Sequence, residues 1–117
     1  MSLAKKLNLK PGMKLRVIGK PANVELDDVE ISASTTADGV LVFVKKLAEL
    51  DGKLPPMIAA AKEDRLAWAA YPKAGQLGTD LSRDVLHGEL AKRGADGVRL
   101  ISLDAVWSAM RFRGAAR

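Results

Sequence analysis

The sequence predicts a single α/β domain, residues 1–117, on a mostly parallel sheet of five or six strands that ends in an antiparallel hairpin. Two observations support this. Apolar runs rich in valine and isoleucine alternate with stretches in which apolar residues recur at helical spacing, and this order of strand, helix, strand is typical of α/β sheets. Near the C-terminus, two apolar segments are separated only by the turn at Asp104 and Ala105, which favours a hairpin.

The strands are predicted from local apolar patterns. In chain order, they occupy residues 14–18, 29–31, 40–44, 65–71, 98–103 and 106–112. Residues 40–44 (VLVFV) are the clearest strand, because a continuous apolar run suits a strand that is covered on both faces. In residues 106–112, strict alternation places Trp107, Ala109 and Arg111 on one face, so we expect a ribbon at the sheet edge.

The helices are predicted from apolar spacing together with start and stop signals. They occupy a short segment before Pro11, residues 47–62 and residues 79–93. Pro55 and Pro56 interrupt the second helix, which predicts a kink or two helical pieces. Thr79 is expected to cap the third helix and Gly94 to end it.

Composition narrows the classes of function. The chain has no cysteine, which excludes disulfides, thiolate metal sites and cysteine nucleophiles, and we expect a cytoplasmic protein. No apolar run approaches the roughly 18 residues of a membrane span, and the N-terminus does not resemble a secretory signal, so no membrane partner is expected. The net charge is +5, with 19 basic and 14 acidic residues. Nucleic acid is an open but not a favoured partner, because aromatic residues make up only 4% of the chain.

The residues that follow the strands predict a site for an anion. Ligands of open α/β sheets lie beyond the carboxyl ends of the strands. Four lysines are expected near such ends: Lys20, Lys45, Lys46 and Lys73. The helix predicted to start at Thr79 adds free backbone N–H groups and the positive end of its dipole. The ligand would be a phosphate, a carboxylate or a nucleotide-like molecule; the alternative is that these lysines serve solubility.

Further polar residues surround the same loop. Arg83 follows Asp80 by three residues, so the two can meet across a helical turn, and we expect Arg83 to lock the loop. Trp107 and Arg111 could stack a ring of the ligand, or Trp107 could cover the core. An Asp–His pair at His87 is the weakest candidate, since His87 lies a full turn into the helix. The predicted ligand-binding residues are Lys73, Thr79, Asp80, Arg83 and Trp107.

No metal site is expected, because the chain has one histidine and no cysteine; carboxylate-only Mg²⁺ binding stays open. Serine-based catalysis has no support either, since the G-x-S-x-G elbow is absent from the sequence.

Four short motifs resemble those of a family of short bacterial proteins of unknown function. They are LKPG at 9–12, YPK at 71–73, TDLSRD at 79–84 and WSAMRF at 107–112. The resemblance spans most of the chain and implies no activity. The motifs occur in the same order as in that family.

More distantly, the layout is similar to the second half of a class I S-adenosylmethionine-dependent methyltransferase, whose fold is Rossmann-like. That resemblance implies a glycine-rich loop after the first strand and an acid after the second. Here residues 19–23 hold one glycine, and no acid follows residue 31 until Asp38. No cofactor is therefore identified, and we expect the fold of that family without its cofactor site.

We expect a small binding or interaction module that holds an anionic or nucleotide-like ligand without catalysis. The alternatives are an enzyme of unrecognised chemistry and a basic nucleic-acid-binding protein. Residues 25–28 contain little apolar material, which leaves part of one sheet face thinly covered, and a homodimer could cover it.

Overall fold

Five strands form one mixed sheet in the computed structural model, which describes residues 3–22, 24–26, 28–34, 36–73 and 75–114. They are β1 (Leu15–Ile18), β2 (Gly39–Phe43), β3 (Leu66–Pro72), β4 (Ala95–Ser102) and β5 (Trp107–Gly114). They lie in the order β1-β2-β3-β5-β4. The first three pair in parallel, whereas β5 is antiparallel to both β3 and β4. The predicted α/β class, the five strands and the hairpin at residues 95–114 are confirmed.

The helices connect the strands and begin where the sequence provides a start signal. They are α1 (Leu3–Lys6), α2 (Leu50–Lys53), α3 (Pro55–Lys62) and α4 (Arg83–Lys92), with 3-10 turns at Leu47–Glu49 and Gln76–Gly78. Pro55 occupies the first turn of α3, where its missing N–H is no loss, so the predicted division of the 47–62 helix is confirmed. Within the described ranges, no helix is long and apolar enough to cross a membrane.

The core has two halves, one on each face of the sheet. On one face, residues of α2, α3 and α4 such as Leu54, Met57 and Leu86 cover Val42 and Ala69. The opposite face has no long helix, and the segment that precedes β2 covers it with apolar side chains: Leu7, Leu9, Val24, Leu26 and Val29. Trp68 fastens this segment, because its Nε1 donates a hydrogen bond to the Leu7 carbonyl at 3.1 Å. The face that the sequence leaves thinly covered is thus covered largely by irregular chain.

The predicted strand at residues 29–31 is wrong. Leu15 N–H donates to Glu30 O at 2.8 Å, and Ser32 N–H donates to Leu15 O at 3.0 Å, which together form a single bridge at Ile31. Ile31 is 52% exposed, so burial gives a strand at this position little support.

The prediction that the last strand lies at the sheet edge is also wrong. β5 lies between β3 and β4, and β4 is the edge strand. The burial of the two strands agrees with this order, because Trp107, Ala109, Met110 and Phe112 of β5 are buried, whereas most of β4 is exposed. Alternation along β5 reflects its two covered faces and not an open side.

Candidate functional site

The loop that follows β3 is tied to the loop that follows β2, and this places the candidate site at the carboxyl edge of the sheet. Thr79 Oγ1 donates to the Lys45 carbonyl at 2.6 Å. The Leu47 N–H donates to Asp80 Oδ1 at 2.9 Å. Lys46 Nζ reaches across in the other direction and donates to the Gly78 carbonyl. Thr79 and Asp80 therefore position the loop, with the polar atoms of their side chains bonded to main-chain groups of the β2 loop.

Thr79 does not cap α4, which corrects the sequence-based expectation. Ser82 is the N-cap, and its Oγ accepts a hydrogen bond from the Val85 N–H at 3.2 Å. The Thr79 hydroxyl instead donates to Lys45 and accepts from the Leu81 N–H at 3.0 Å. A hydroxyl engaged in this way is not available to a helix that begins four residues later. The predicted stop at Gly94 is confirmed, with α4 ending at Lys92 and Gly94 at a φ of 86°.

Lys6 and Lys73 both contact the hairpin between β4 and β5. Lys73 Nζ donates to Ser102 Oγ at 2.8 Å, and Lys6 Nζ donates to the Ser102 carbonyl at 3.3 Å. The Ser102 hydroxyl in turn donates to the Asp104 carbonyl at 3.1 Å. Lys6 was missed by the sequence reasoning, because it lies 96 residues from Ser102 and no local pattern connects the two.

The lysines at this edge share one property: their hydrogen-bond partners are neutral. Lys20 Nζ follows the same pattern, with bonds to the Val24 and Pro21 carbonyls at 2.6 and 3.1 Å. Within the part of the chain that the structure describes, no carboxylate contacts the ammonium group of Lys6, Lys20, Lys46 or Lys73. A neutral acceptor fixes an ammonium group but leaves its charge in place. The edge therefore carries four oriented positive charges, hereafter the lysine edge.

One lysine nearby has an acidic partner. Lys53 Nζ lies 3.0 Å from Glu49 Oε1 and 3.4 Å from the Phe43 carbonyl. Burial raises the pKa of Glu49, but the hydrogen bonds from Lys53 and from the Lys45 N–H outweigh it, so the pKa lies below its ordinary value. Glu49 is thus ionised at neutral pH and neutralises Lys53, which leaves Lys53 outside the lysine edge.

Two of the five predicted ligand-binding residues do not add their side chains to the lysine edge: Trp107 pairs with Pro72 at this edge but is buried, and Arg83 borders a groove beside α4. The Trp107 side chain is in the core at 2% exposure, with its ring edge-to-face against Phe43 at a centroid distance of 5.1 Å. Its ring has no free face on which a ligand could stack. Arg83 begins α4 with its side chain 67% exposed, and its Nε lies 3.5 Å from Asp84. Of the predicted set, the structure brings Lys73, Thr79 and Asp80 to the carboxyl edge.

Arg83 borders a separate groove of about 310 Å³ between α4 and the edge strand. Its lining residues are Arg83, Asp84, His87, Gly97, Arg99, Leu100 and Met110. His87 lies against Gly97, where an added Cβ would approach its Cδ2 to 2.9 Å. His87 therefore faces β4 and not the lysine edge. Arg83 also lies near Tyr71 of β3, where burial raises the pKa of the Tyr71 hydroxyl and the positive charge of Arg83 opposes that shift.

Among the described residues, no group of three or more histidine, cysteine, aspartate or glutamate side chains could hold a metal ion. Comparison of the chain with protein-family models, with curated proteins and with solved structures finds no match. The residues of the lysine edge are therefore the basis for a functional proposal.

Proposed function

We propose that this domain is a binding module that holds an anionic, phosphate-bearing or nucleotide-like ligand over the lysine edge. The observation that carries the proposal is that four ammonium groups at one edge of the sheet are held by neutral acceptors. Four ammonium groups outweigh the carboxylate of Asp80 at this edge, and an excess of one sign attracts ligands of the opposite sign. The net charge of +5 acts in the same direction.

The positions of these ammonium groups favour a specific site over a general solubilising surface. Lys46 and Lys73 follow neighbouring strands, and each is held by a hydrogen bond across a long stretch of sequence. Part of the entropy that a free lysine loses on binding is thus already lost in the folded protein. Arg83 and Trp107 do not enter this site.

Binding is favoured over catalysis by what lies near the lysine edge. General acid–base chemistry needs a titratable group within hydrogen-bond reach of the ligand. Asp80 accepts a main-chain hydrogen bond, Glu49 is paired with Lys53, and His87 lies in the groove beside β4. An enzyme would have to use the lysines themselves or Asp80, whose second carboxylate oxygen has no hydrogen-bond partner among the described residues.

The fold detail in this proposal is a Rossmann-like, methyltransferase-like sheet that does not bind the methyltransferase cofactor. It is supported by the parallel strands β1 to β3, by α3 and α4 on one face and by the closing hairpin. The turn after β1 argues against the cofactor, because Gly19 is the one glycine in residues 19–23. An added Cβ at Gly19 would lie 3.2 Å from the Phe43 carbonyl, so this glycine serves the approach of β2.

The test is a melting screen against phosphate, AMP, ATP and S-adenosylmethionine. A ligand at about 100 times its dissociation constant adds roughly 2.7 kcal/mol, which raises the melting temperature by several degrees in a domain of this size. We expect a nucleotide or phosphate to give such a shift in the wild type, and the Lys46→Met and Lys73→Met variants to lose it. Lys92→Met is the matched control, because Lys92 is paired with Glu89 at 3.1 Å near the other end of α4.

Three results would contradict the proposal. No shift with any anion would remove the ligand, and an equal shift in all three variants would move it away from the lysine edge. A shift with S-adenosylmethionine alone would instead favour a methyltransferase-like domain that keeps its cofactor site. Binding of an oligonucleotide, with affinity that falls steeply as salt rises, would favour nucleic acid over a small ligand.

A further inference from the structure

Two arginines lie side by side in the outer half of the sheet, with their register positions on the face opposite α2, α3 and α4; Arg99, on the edge strand, also borders the groove beside α4. Arg99 of β4 and Arg111 of β5 are direct partners in the antiparallel register. On its other side, Arg111 is the register partner of Trp68, which is fully buried on that face. Trp68, Arg111 and Arg99 are thus neighbours across three strands and form a row, which runs from the core at Trp68 to the edge strand at Arg99.

Neither arginine side chain has a hydrogen-bond acceptor or an acidic partner among the described residues. Arg111 is half-buried, and its Nε is buried without a hydrogen-bond acceptor. No residue within the described ranges forms a hydrogen bond or ion pair with the side chain of Arg99 or Arg111. Like charges directly opposite each other destabilise a strand pair, and a buried N–H without an acceptor is a further cost. Two unfavourable features thus coincide at one place.

Arg113, two residues further along β5 on the same face, shows the ordinary arrangement. Its register partner is Asp96, and its Nη2 lies 3.5 Å from Asp64 Oδ1. Among the residues that the structure describes, acids therefore face Arg113, but none contacts the pair beside it.

We propose that Arg99 and Arg111 form a phosphate-binding site on this face. A phosphate group carries close to two negative charges at neutral pH, which matches two guanidinium groups, whereas a carboxylate would neutralise only one. Guanidinium forks bind phosphate oxygens in pairs. Because the Arg111 Nε is buried, the phosphate binds the terminal Nη groups of the two arginines.

This site is separate from the lysine edge. Along β4, Arg99 lies three residues from Ser102, which Lys6 and Lys73 contact. Three residues of strand correspond to about 10 Å, at roughly 3.3 Å per residue. The inference therefore stands or falls independently of the proposed function.

The test is a titration with inorganic phosphate, at constant ionic strength, that follows the ¹⁵N–¹H signals of the arginine Nε groups. It is carried out on the wild type and on the Lys46→Met/Lys73→Met double variant, which removes the contribution of the lysine edge. In both proteins, we expect the Arg111 signal to shift and saturate with phosphate. Arg99→Gln should weaken phosphate binding by about tenfold or more, since a charge-assisted contact is lost. Arg113→Gln, the matched control, should leave the affinity unchanged.

Without phosphate, Arg99→Gln should raise the melting temperature at low salt, because it removes the opposed charge. The proposal is overturned if the Arg111 signal does not respond, or if Arg113→Gln weakens binding as much as Arg99→Gln. Acetate that binds as tightly as phosphate would replace the phosphate site by a carboxylate site. Absence of any lysine-edge response in the wild type, with a retained Arg111 response, would refute only the proposed function.

Discussion

Gly39 in β2 should not tolerate a side chain, although alanine is the smallest one available. An ideal Cβ at Gly39 would lie 2.7 Å from Leu66 Cβ, 2.9 Å from the Leu66 carbonyl oxygen and 3.1 Å from Leu15 Cδ1. Leu15 and Leu66 are the register partners of Gly39 on β1 and β3, so the β3 backbone on one side and the buried Leu15 side chain on the other fix the space. The strands would have to separate to admit the methyl group.

The magnitude for Gly39→Ala follows from two opposing effects. Overpacking of a tight core costs about 1–3 kcal/mol. The lower entropy of an unfolded chain with alanine offsets roughly 0.4–1 kcal/mol of that. We therefore expect the free energy of unfolding to fall by about 1–2 kcal/mol, or roughly 4–8 °C in melting temperature.

Urea denaturation followed by tryptophan fluorescence is a suitable assay, because Trp68 and Trp107 are both buried. Gly88→Ala is the control: Gly88 lies within α4, and nothing approaches its ideal Cβ within 4 Å. That variant should be more stable than the wild type by about 0.5–1 kcal/mol, since alanine favours a helix interior. The reasoning is refuted if Gly39→Ala unfolds at the wild-type urea concentration, or if both variants change stability in the same direction.

Two further predictions concern α4. Ser82→Ala should lower the free energy of unfolding by about 1 kcal/mol, because the Val85 N–H loses its acceptor. Ser82→Thr should retain most of the stability, since threonine also caps helices. Equal urea midpoints for the wild type and Ser82→Ala would argue against Ser82 as the cap. Hydrogen bonds from Arg93 and Lys92 hold the pKa of Glu89 below its ordinary value, so Glu89 stabilises the fold above the ordinary carboxyl pKa and ceases to do so as the pH falls through the lowered one. Glu89→Gln should thus lower the urea midpoint at neutral pH but match the wild type once the pH is below the lowered pKa of Glu89, and a difference that persists there would contradict this assignment.

The elements that the sequence predicts well are those whose burial is local and uniform. Residues 40–44 and 66–71 are continuous apolar runs, and β2 and β3 lie there because both faces of these strands are covered. The order of the strands does not follow from such patterns. Alternation along β5 shows which side chains are buried but not which strands are its neighbours, and these depend on pairing across the whole chain.

The candidate site was predictable where a residue follows its strand directly. Lys73 comes straight after β3, and parallel strands bring their carboxyl ends to one edge. The helix start was ambiguous, since Thr79 and Ser82 are both good caps, and only the contact with the Lys45 carbonyl decides between them. The burial of Trp107 depends on Phe43, which lies 64 residues away in sequence, so no local pattern predicts it.

The position of β5 between β3 and β4 has a consequence for biosynthesis. β4 leaves the ribosome before β5, yet β5 is its neighbour in the sheet, so β4 stays unpaired until residues 107–114 have emerged. A nascent chain that has reached β4 leaves open the two strand edges that β5 later covers, one on β3 and one on β4. Open strand edges are where chains pair wrongly. The part of the sheet formed by β3, β5 and β4 therefore assembles in one late step. A pause in translation between β4 and β5 prolongs the interval in which the newly made chain is most exposed to aggregation.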